Sequence, residues 1–250
     1  MDYEKEYEEY TETGISRGRL IAKKCIKYAL RGLVAGIIAL LLWRVFFSGR
    51  VPKSMKMLIV TDSLHEAYEE CGEDLLLYTQ KYDPVNMEDT TAGYFWVSDT
   101  VFIPAANQVQ VVIRYNNSTL KHIAEDFSLK EDESPTREDE VLDVTLAIAV
   151  DPDPTNKTTA DREIIRIHAS EVVSDTTSMY NYRRLVFDDI PEGITNIINI
   201  SVDFYYVGSI NYDATPYGTI IIYRPSGMDV TTVDLSSRDQ KALESYVPAK

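Results

Sequence analysis

The stretch INISVDFYYV, residues 198–207, alternates between apolar and polar side chains with a period of two. The first set of alternate positions holds large apolar side chains: Ile198, Ile200, Val202, Phe204 and Tyr206. The positions between them hold Asn199, Ser201, Asp203 and Tyr205. Because successive side chains of a β-strand point to opposite faces, this pattern predicts a strand that buries the first set in a core.

Segments of similar character lie on both sides of this stretch, separated by turn-forming sequences such as DPDPTN and IPEG. We expect further strands over residues 75–80, 93–103, 109–115, 141–150, 162–169, 182–187 and 218–224. Helices do not alternate regularly with these segments, and such a series favours an antiparallel sheet over a parallel one. The sequence therefore predicts an all-β domain over residues 57–250, folded as an antiparallel β-sandwich of Ig-like or jelly-roll-like type.

A few short helices are expected within this domain, over residues 62–71, 118–127 and 236–247. Ser118 is the expected N-cap of the second helix. Ser237 and Gln240 have the spacing of a capping box at the start of the third. Helices this short do not change the all-β class of the domain.

A separate apolar stretch, RGLVAGIIALLLWRVFFSGR, occupies residues 31–50. A membrane-spanning helix needs about 20 mostly apolar residues. Arg31 and Arg44 lie near the ends of the run, where their long side chains can reach the headgroups, and Trp43 suits the same interface. We predict a transmembrane helix over residues 32–48. The main alternative is a cleaved signal peptide, but a long charged stretch precedes the run and no small-residue cleavage motif follows it.

The charges on either side of the predicted span indicate its orientation. Residues 15–31 form a basic juxtamembrane segment, and residues 1–14 form an acidic tail that we expect to be disordered. An excess of lysine and arginine favours the cytoplasmic side, so the N-terminus is predicted to be inside. Residues 57–250 carry 34 acidic and 14 basic side chains. A domain this acidic is poorly suited as a whole to nucleic acid or to anionic lipid, and we place it outside the cell.

Cysteine is scarce, with Cys25 and Cys71 as the two examples in the chain. They fall on opposite sides of the predicted span, so they cannot form an intramolecular disulfide in the outer domain. This usage argues against a disulfide-stabilised secreted module. It favours an envelope protein of a bacterium, in particular a Gram-positive one.

Small residues recur along the predicted span at helical spacing: Gly32, Ala35, Gly36 and Ala39. These positions share one helical face, where two helices can approach closely and pack. The span is therefore a candidate for self-association, and a homo-oligomer is one possible assembly.

The sequence shows no motif for catalysis or for a cofactor in the context that such a motif requires. The three histidines, His65, His122 and His168, are far apart in sequence and lack metal-ligand spacing. Glycine-rich phosphate loops are absent. The G-x-S-x-G spacing occurs at Gly14–Gly18, but no predicted strand precedes it, and the S-x-x-K spacing occurs at Ser118–Lys121 without the S-D-N and K-T-G motifs that accompany it in enzymes. We predict that the protein is not an enzyme and needs no cofactor.

Two sets of residues are candidates for binding. Asp151, Asp153 and Asn156 follow a predicted strand and offer the oxygen ligands that calcium prefers, but the stretch is more typical of a loop that its prolines fix. Tyrosines cluster near residues 205–217, and exposed tyrosines make good contact surfaces for protein or sugar. The candidate binding residues there are Tyr205, Tyr212 and Tyr217. The charged loop 130–140 is a weaker candidate.

Together these features predict a single-pass membrane protein that presents a non-enzymatic domain outside the cytoplasm for binding or envelope assembly. Its expected partners are membrane lipid and a protein outside the cytoplasm, and not nucleic acid. One alternative is a structural subunit that assembles with other membrane proteins through its helix. A second alternative is a carbohydrate- or calcium-binding module.

Overall fold

The computed structural model describes residues 17–48, 50–80, 95–136, 140–152, 162–212, 215–225 and 230–248. Contacts within the chain divide it into two compact units, Met1–Arg50 and Val51–Lys250. The described part of the first unit is one long helix. The described part of the second unit consists mostly of β-strands, with a few short helices.

The helix of the first unit, α1, spans Arg17–Ser48. Its segment Ile21–Arg44 is 24 residues long, has a mean hydropathy of 1.9 and is 0% buried within the protein. A helix of this length and composition fits a membrane anchor or a signal sequence. It runs without a break through residue 31, so the basic segment 17–31 and the apolar run form one continuous helix.

The described residues of the second unit form ten strands, labelled in chain order. They are β1 Leu77–Gln80, β2 Trp96–Ile103, β3 Gln108–Tyr115, β4 Leu142–Val150, β5 Glu163–His168, β6 Glu171–Thr176, β7 Asn181–Phe187, β8 Ile197–Tyr206, β9 Gly218–Tyr223 and β10 Val230–Val233. One sheet has the order β10-β1-β2-β3-β7-β6, and the other has the order β5-β4-β8-β9. Neighbouring strands pair antiparallel throughout, as predicted.

The two sheets contribute to one hydrophobic core. Val111 and Ile113 of β3 enter it from the six-stranded sheet, and Leu146 of β4 enters it from the four-stranded sheet. From β8, the core receives Ile200, Val202 and Phe204. The alternation of residues 198–206 therefore predicted correctly which face of this strand is turned towards the core.

The strands β6 and β10 were not predicted from the sequence. Both lie at an edge of the six-stranded sheet, and Val172, Val173, Val230 and Val233 are exposed there. A strand that buries neither face shows no apolar–polar alternation, so the pattern that located the other strands was missing here.

The described part of the second unit also contains three short α-helices: α2 Asp62–Cys71, α3 Asn117–Asp126 and α4 Ser237–Glu244. All three were predicted, but two N-caps were assigned wrongly. Asn116 caps α3 in place of Ser118, because its Oδ1 accepts the N–H groups of Ser118 and Thr119. Ser236 caps α4 in place of Ser237, and its Oγ accepts the N–H of Asp239.

The first residues of the second unit, 51–61, run across the face of the six-stranded sheet that is turned away from the core. Arg184 of β7 is 1% exposed, and its Nη2 donates to the carbonyl oxygen of Met55 at 2.7 Å. Gln110 of β3 donates to the carbonyl oxygen of Ile59 at 2.7 Å and accepts the N–H of Ile59 at 2.9 Å. Buried polar side chains thus fix this segment to the sheet.

Candidate functional site

The face of the four-stranded sheet that is turned away from the core carries a row of polar side chains. Thr145 of β4 lies opposite His168 of β5 on one side and opposite Asp203 of β8 on the other. Asp203 in turn lies opposite Thr219 of β9. Side chains at directly paired positions share one face of a sheet, so this polar row crosses all four strands.

At one end of the row, four side chains form what we call the Tyr212 cluster: Asp143, His168, Tyr205 and Tyr212. The hydroxyl of Tyr212 donates to Oδ2 of Asp143 at 2.5 Å. The ring of Tyr212 lies edge-on to that of Tyr205 and to that of His168, with 5.0 Å between centroids in both cases. Nδ1 of His168 is 3.8 Å from Oδ2 of Asp143. Tyr212 therefore connects side chains of three adjacent strands.

The electrostatics of the cluster keep the Tyr212 hydroxyl protonated. Its hydrogen bond to Asp143 raises the pKa of Tyr212 to about 12, with a smaller contribution from burial. A hydroxyl with this pKa is a weak acid and holds its proton at neutral pH, so it is poorly matched to proton transfer there. The arrangement is better suited to contact and hydrogen bonding than to acid–base catalysis.

Next to the cluster, several polar groups on the same face are buried. Asp203 is 5% exposed, and burial raises the pKa of its carboxyl group, while hydrogen bonds from Thr219 at 2.9 Å and Ser201 at 3.3 Å oppose the rise. The buried hydroxyl groups of Thr145 and Tyr205 have no hydrogen-bond partner among the described residues. Buried polar groups usually have partners, so this face holds unused hydrogen-bonding capacity.

The structure brings two of the three predicted tyrosines together. Tyr205 and Tyr212 share the cluster, but Tyr205 is only 3% exposed, so the expectation of an exposed Tyr205 is wrong. Tyr217 lies elsewhere, because its hydroxyl donates to Asp126 at 2.7 Å and its ring packs against Phe127.

Sequence reasoning missed Asp143 and His168. Each is a polar residue in a largely apolar strand, which was a usable signal, but the pairing of β4 with β5 and β8 brings them together. Strand order is not readable from alternation alone, so the sequence could not place these side chains beside Tyr212.

The predicted calcium ligands are only partly within the described residues. Asp151 directly follows β4, and Asp153 and Asn156 lie outside the described ranges. Within those ranges, the His, Cys, Asp and Glu side chains form no group of three or more that could hold a metal ion. Calcium binding by the loop that contains Asp151 stays a prediction.

Two open clefts lie away from the cluster. One, of about 490 Å³, is acidic and is lined by Asp62, Glu171, Asp188, Asp189 and Tyr246, among others. The other, of about 410 Å³, lies between α3 and residues 134–136, which belong to the charged loop predicted as a weaker binding site. Residues 137–139 of that loop lie outside the described ranges.

The small residues of α1, Gly32, Ala35, Gly36 and Ala39, lie on an exposed part of the helix. A Cβ atom added at Gly32 or Gly36 would meet nothing within 4 Å in the described structure. The described chain therefore leaves this face open, and its association with another helix stays a prediction.

Replacing Tyr212 by phenylalanine is expected to lower the free energy of unfolding by about 1 kcal/mol, because the hydrogen bond to Asp143 is charge-assisted but partly exposed to solvent. The raised pKa means that this contribution is fully present below pH 10 and is lost as the pH rises through about 12. Urea unfolding of wild type and Tyr212→Phe between pH 7 and 11 measures the difference. If the difference in the free energy of unfolding between the two proteins does not shrink above pH 10, the hydrogen bond from Tyr212 to Asp143 is not its source.

No protein-family model, curated protein or solved structure matches this chain.

Proposed function

We propose that this chain is a single-pass membrane protein that presents a non-enzymatic β-sandwich domain outside the cytoplasm for binding or envelope assembly. The observation that carries the proposal is the apolar segment of α1, which is 24 residues long and 0% buried within the protein. In water, such a surface would expose many large apolar side chains, and a bilayer removes this cost. The β unit begins directly after this helix.

The orientation in this proposal rests on charge. Basic side chains crowd residues 17–31, which favours the cytoplasmic side for the N-terminus. The acidic unit that follows then lies outside, at the surface of a Gram-positive bacterial cell. The core shared by the two sheets supports a sandwich of Ig-like or jelly-roll-like type.

The surface around Tyr212 is the proposed recognition site, and its proposed partner is a protein outside the cytoplasm. Val207 and Ile210, both 42% exposed, lie on the segment that leads to Tyr212. Exposed apolar side chains next to tyrosine have the composition of the centre of a protein interface. Asp143 and His168 add polar groups at its rim, where they can select the partner.

Protease protection on intact cells, with tags at both ends of the chain, tests the topology. We expect external protease to remove the C-terminal tag and to spare the N-terminal tag, and both tags to be lost after permeabilisation. A C-terminal tag that is protected in intact cells would contradict the proposed orientation. Loss of the N-terminal tag from the mature protein would instead identify α1 as a cleaved signal sequence.

A second candidate function, as a subunit that assembles through its span, is favoured by the open face at Gly32 and Gly36. Gly36→Ile places a branched side chain on this face. We expect it to reduce energy transfer between fluorescently labelled copies in vesicles at least about tenfold. Leu41→Ile, on the opposite face of the helix, is the matched control. Equal energy transfer in Gly36→Ile and the control would contradict association through this face.

A further inference from the structure

One end of the six-stranded sheet carries a group of side chains that we call the aromatic end: Trp96, Arg114, Tyr180 and Tyr182. Trp96 lies opposite Arg114, and Arg114 lies opposite Tyr182, so the three share the face turned away from the core. The guanidinium carbon of Arg114 is 4.9 Å from the ring centre of Tyr180 and 5.7 Å from that of Trp96. Trp96, Arg114 and Tyr180 are only partly buried.

The start of the second unit packs against this end. Val51 and Tyr180 pack on a small cluster that contains Met55 and Tyr182. Val51 follows shortly after Ser48, the last residue of α1. Each residue can extend the chain by at most about 3.6 Å, so connectivity alone keeps Val51 and its neighbours close to the membrane surface where the helix would emerge.

Charge distinguishes this end from the rest of the domain. Lys53 and Lys56 are exposed in the segment that packs against it, and Arg114 adds a further cation. Two acidic side chains lie near this segment: Asp175 accepts a hydrogen bond from Ser54, and Asp99 is paired with Arg184, which donates to the carbonyl oxygen of Met55. Residues 57–250, in contrast, carry 34 acidic and 14 basic side chains. Anionic headgroups would attract the basic end and repel the remainder, which favours one orientation of the domain.

We propose that the aromatic end contacts the headgroup zone of a phospholipid bilayer with anionic lipid, through Trp96 and Tyr180 with Lys53 and Lys56 beside them. Tryptophan and tyrosine prefer this zone because one part of each ring system is apolar and another forms hydrogen bonds. Met179, 37% exposed, adds an apolar side chain next to Tyr180. This inference rests on the proposed function, because it requires α1 to remain in the membrane.

The two tryptophans of the chain, Trp43 and Trp96, make the contact measurable. In the full-length variant Trp43→Phe, Trp96 is the remaining tryptophan. We expect its fluorescence to fall roughly twofold in vesicles whose lipids carry a quencher at the headgroup, compared with unlabelled vesicles of phosphatidylcholine and phosphatidylglycerol. The matched variant Trp96→Phe reports on α1 through Trp43 in the same vesicles.

The pair of variants distinguishes a failure of the proposed lipid contact from a failure of the membrane anchor. If Trp43 is quenched and Trp96 is not, α1 lies in the bilayer and the proposed lipid contact is overturned, while the anchored protein stands. If neither tryptophan is quenched by headgroup or acyl-chain labels, α1 does not lie in the bilayer. Both the membrane anchor and the proposed lipid contact are then overturned. Quenching of both supports the inference.

The contribution of the exposed lysines to the proposed lipid contact is tested separately. Lys53→Glu combined with Lys56→Glu reverses two exposed charges, so the fold should be retained. We expect this change to abolish most of the quenching of Trp96 in vesicles with phosphatidylglycerol and to leave Trp43 quenched as before. Unchanged quenching of Trp96 would overturn the role of these lysines.

Discussion

Replacing Phe204 by alanine is expected to lower the free energy of unfolding by about 4 kcal/mol, the range seen when a large aromatic side chain is deleted from a well-packed core. Phe204 is 0% exposed and lies on β8, an inner strand of the four-stranded sheet. Its ring stacks on Phe95, with centroids 4.5 Å apart and planes 11° from parallel. Phe95 directly precedes β2 of the other sheet, so the pair connects the two sheets across the core.

Urea unfolding of the full-length protein in detergent micelles, followed by tryptophan fluorescence, measures this loss. Phe204→Leu keeps much of the volume and is expected to cost about 1.5 kcal/mol. Val207→Ala, at a position that is 42% exposed just after the same strand, is expected to change stability by less than about 0.5 kcal/mol. A cost for Phe204→Ala no larger than that of Val207→Ala would mean that the two sheets do not share a tightly packed core.

The strand that contains Phe204 also shows why much of the fold could be predicted from the sequence. Alternation identifies a strand when one of its faces is turned to a core and the other is not, and β8 satisfies this condition for most of its length. The edge strands β6 and β10 do not, because both faces are exposed. The other face of β8 is also covered. Ser201, Asp203 and Tyr205 are buried although they lie on the face that is turned away from the core.

That second buried face is the reason the candidate site was predicted only in part. The sequence indicated that Tyr205 points away from the core, and from this we expected it to be exposed. The ring of Tyr212 packs against Tyr205, and Asp143 lies directly opposite it on β4. Both contacts depend on strand order and on the path of the segment after β8, which are properties of the whole fold and not of any local pattern.

Replacing Arg184 by methionine is expected to lower the free energy of unfolding by about 3 kcal/mol. Methionine fills a similar volume, so the loss comes from polar groups that stay buried without their donor. The carbonyl oxygen of Met55, 2.7 Å from Nη2, loses its hydrogen bond from Arg184. Oε1 of Gln110, 3.3 Å from Nη1, loses one of two and keeps the one from the N–H of Ile59. Burial lowers the pKa of Arg184, and the charge and the hydrogen-bonding carboxylate of Asp99 oppose this shift. Residues 51–61 should then detach from the sheet more often and exchange their amide hydrogens faster.

The matched control is Asp99→Asn, which removes the charge that faces Arg184 and keeps an oxygen acceptor. The ion pair spans 3.2 Å, but the Asp99 side chain is 39% exposed, so water screens it and the expected cost is below about 1 kcal/mol. The ratio of the two losses therefore decides what holds segment 51–61 in place. A larger loss for Arg184→Met assigns that role to the hydrogen bonds with Met55 and Gln110. Equal losses would assign it to the ion pair, and amide exchange of residues 51–61 would then rise equally in both variants.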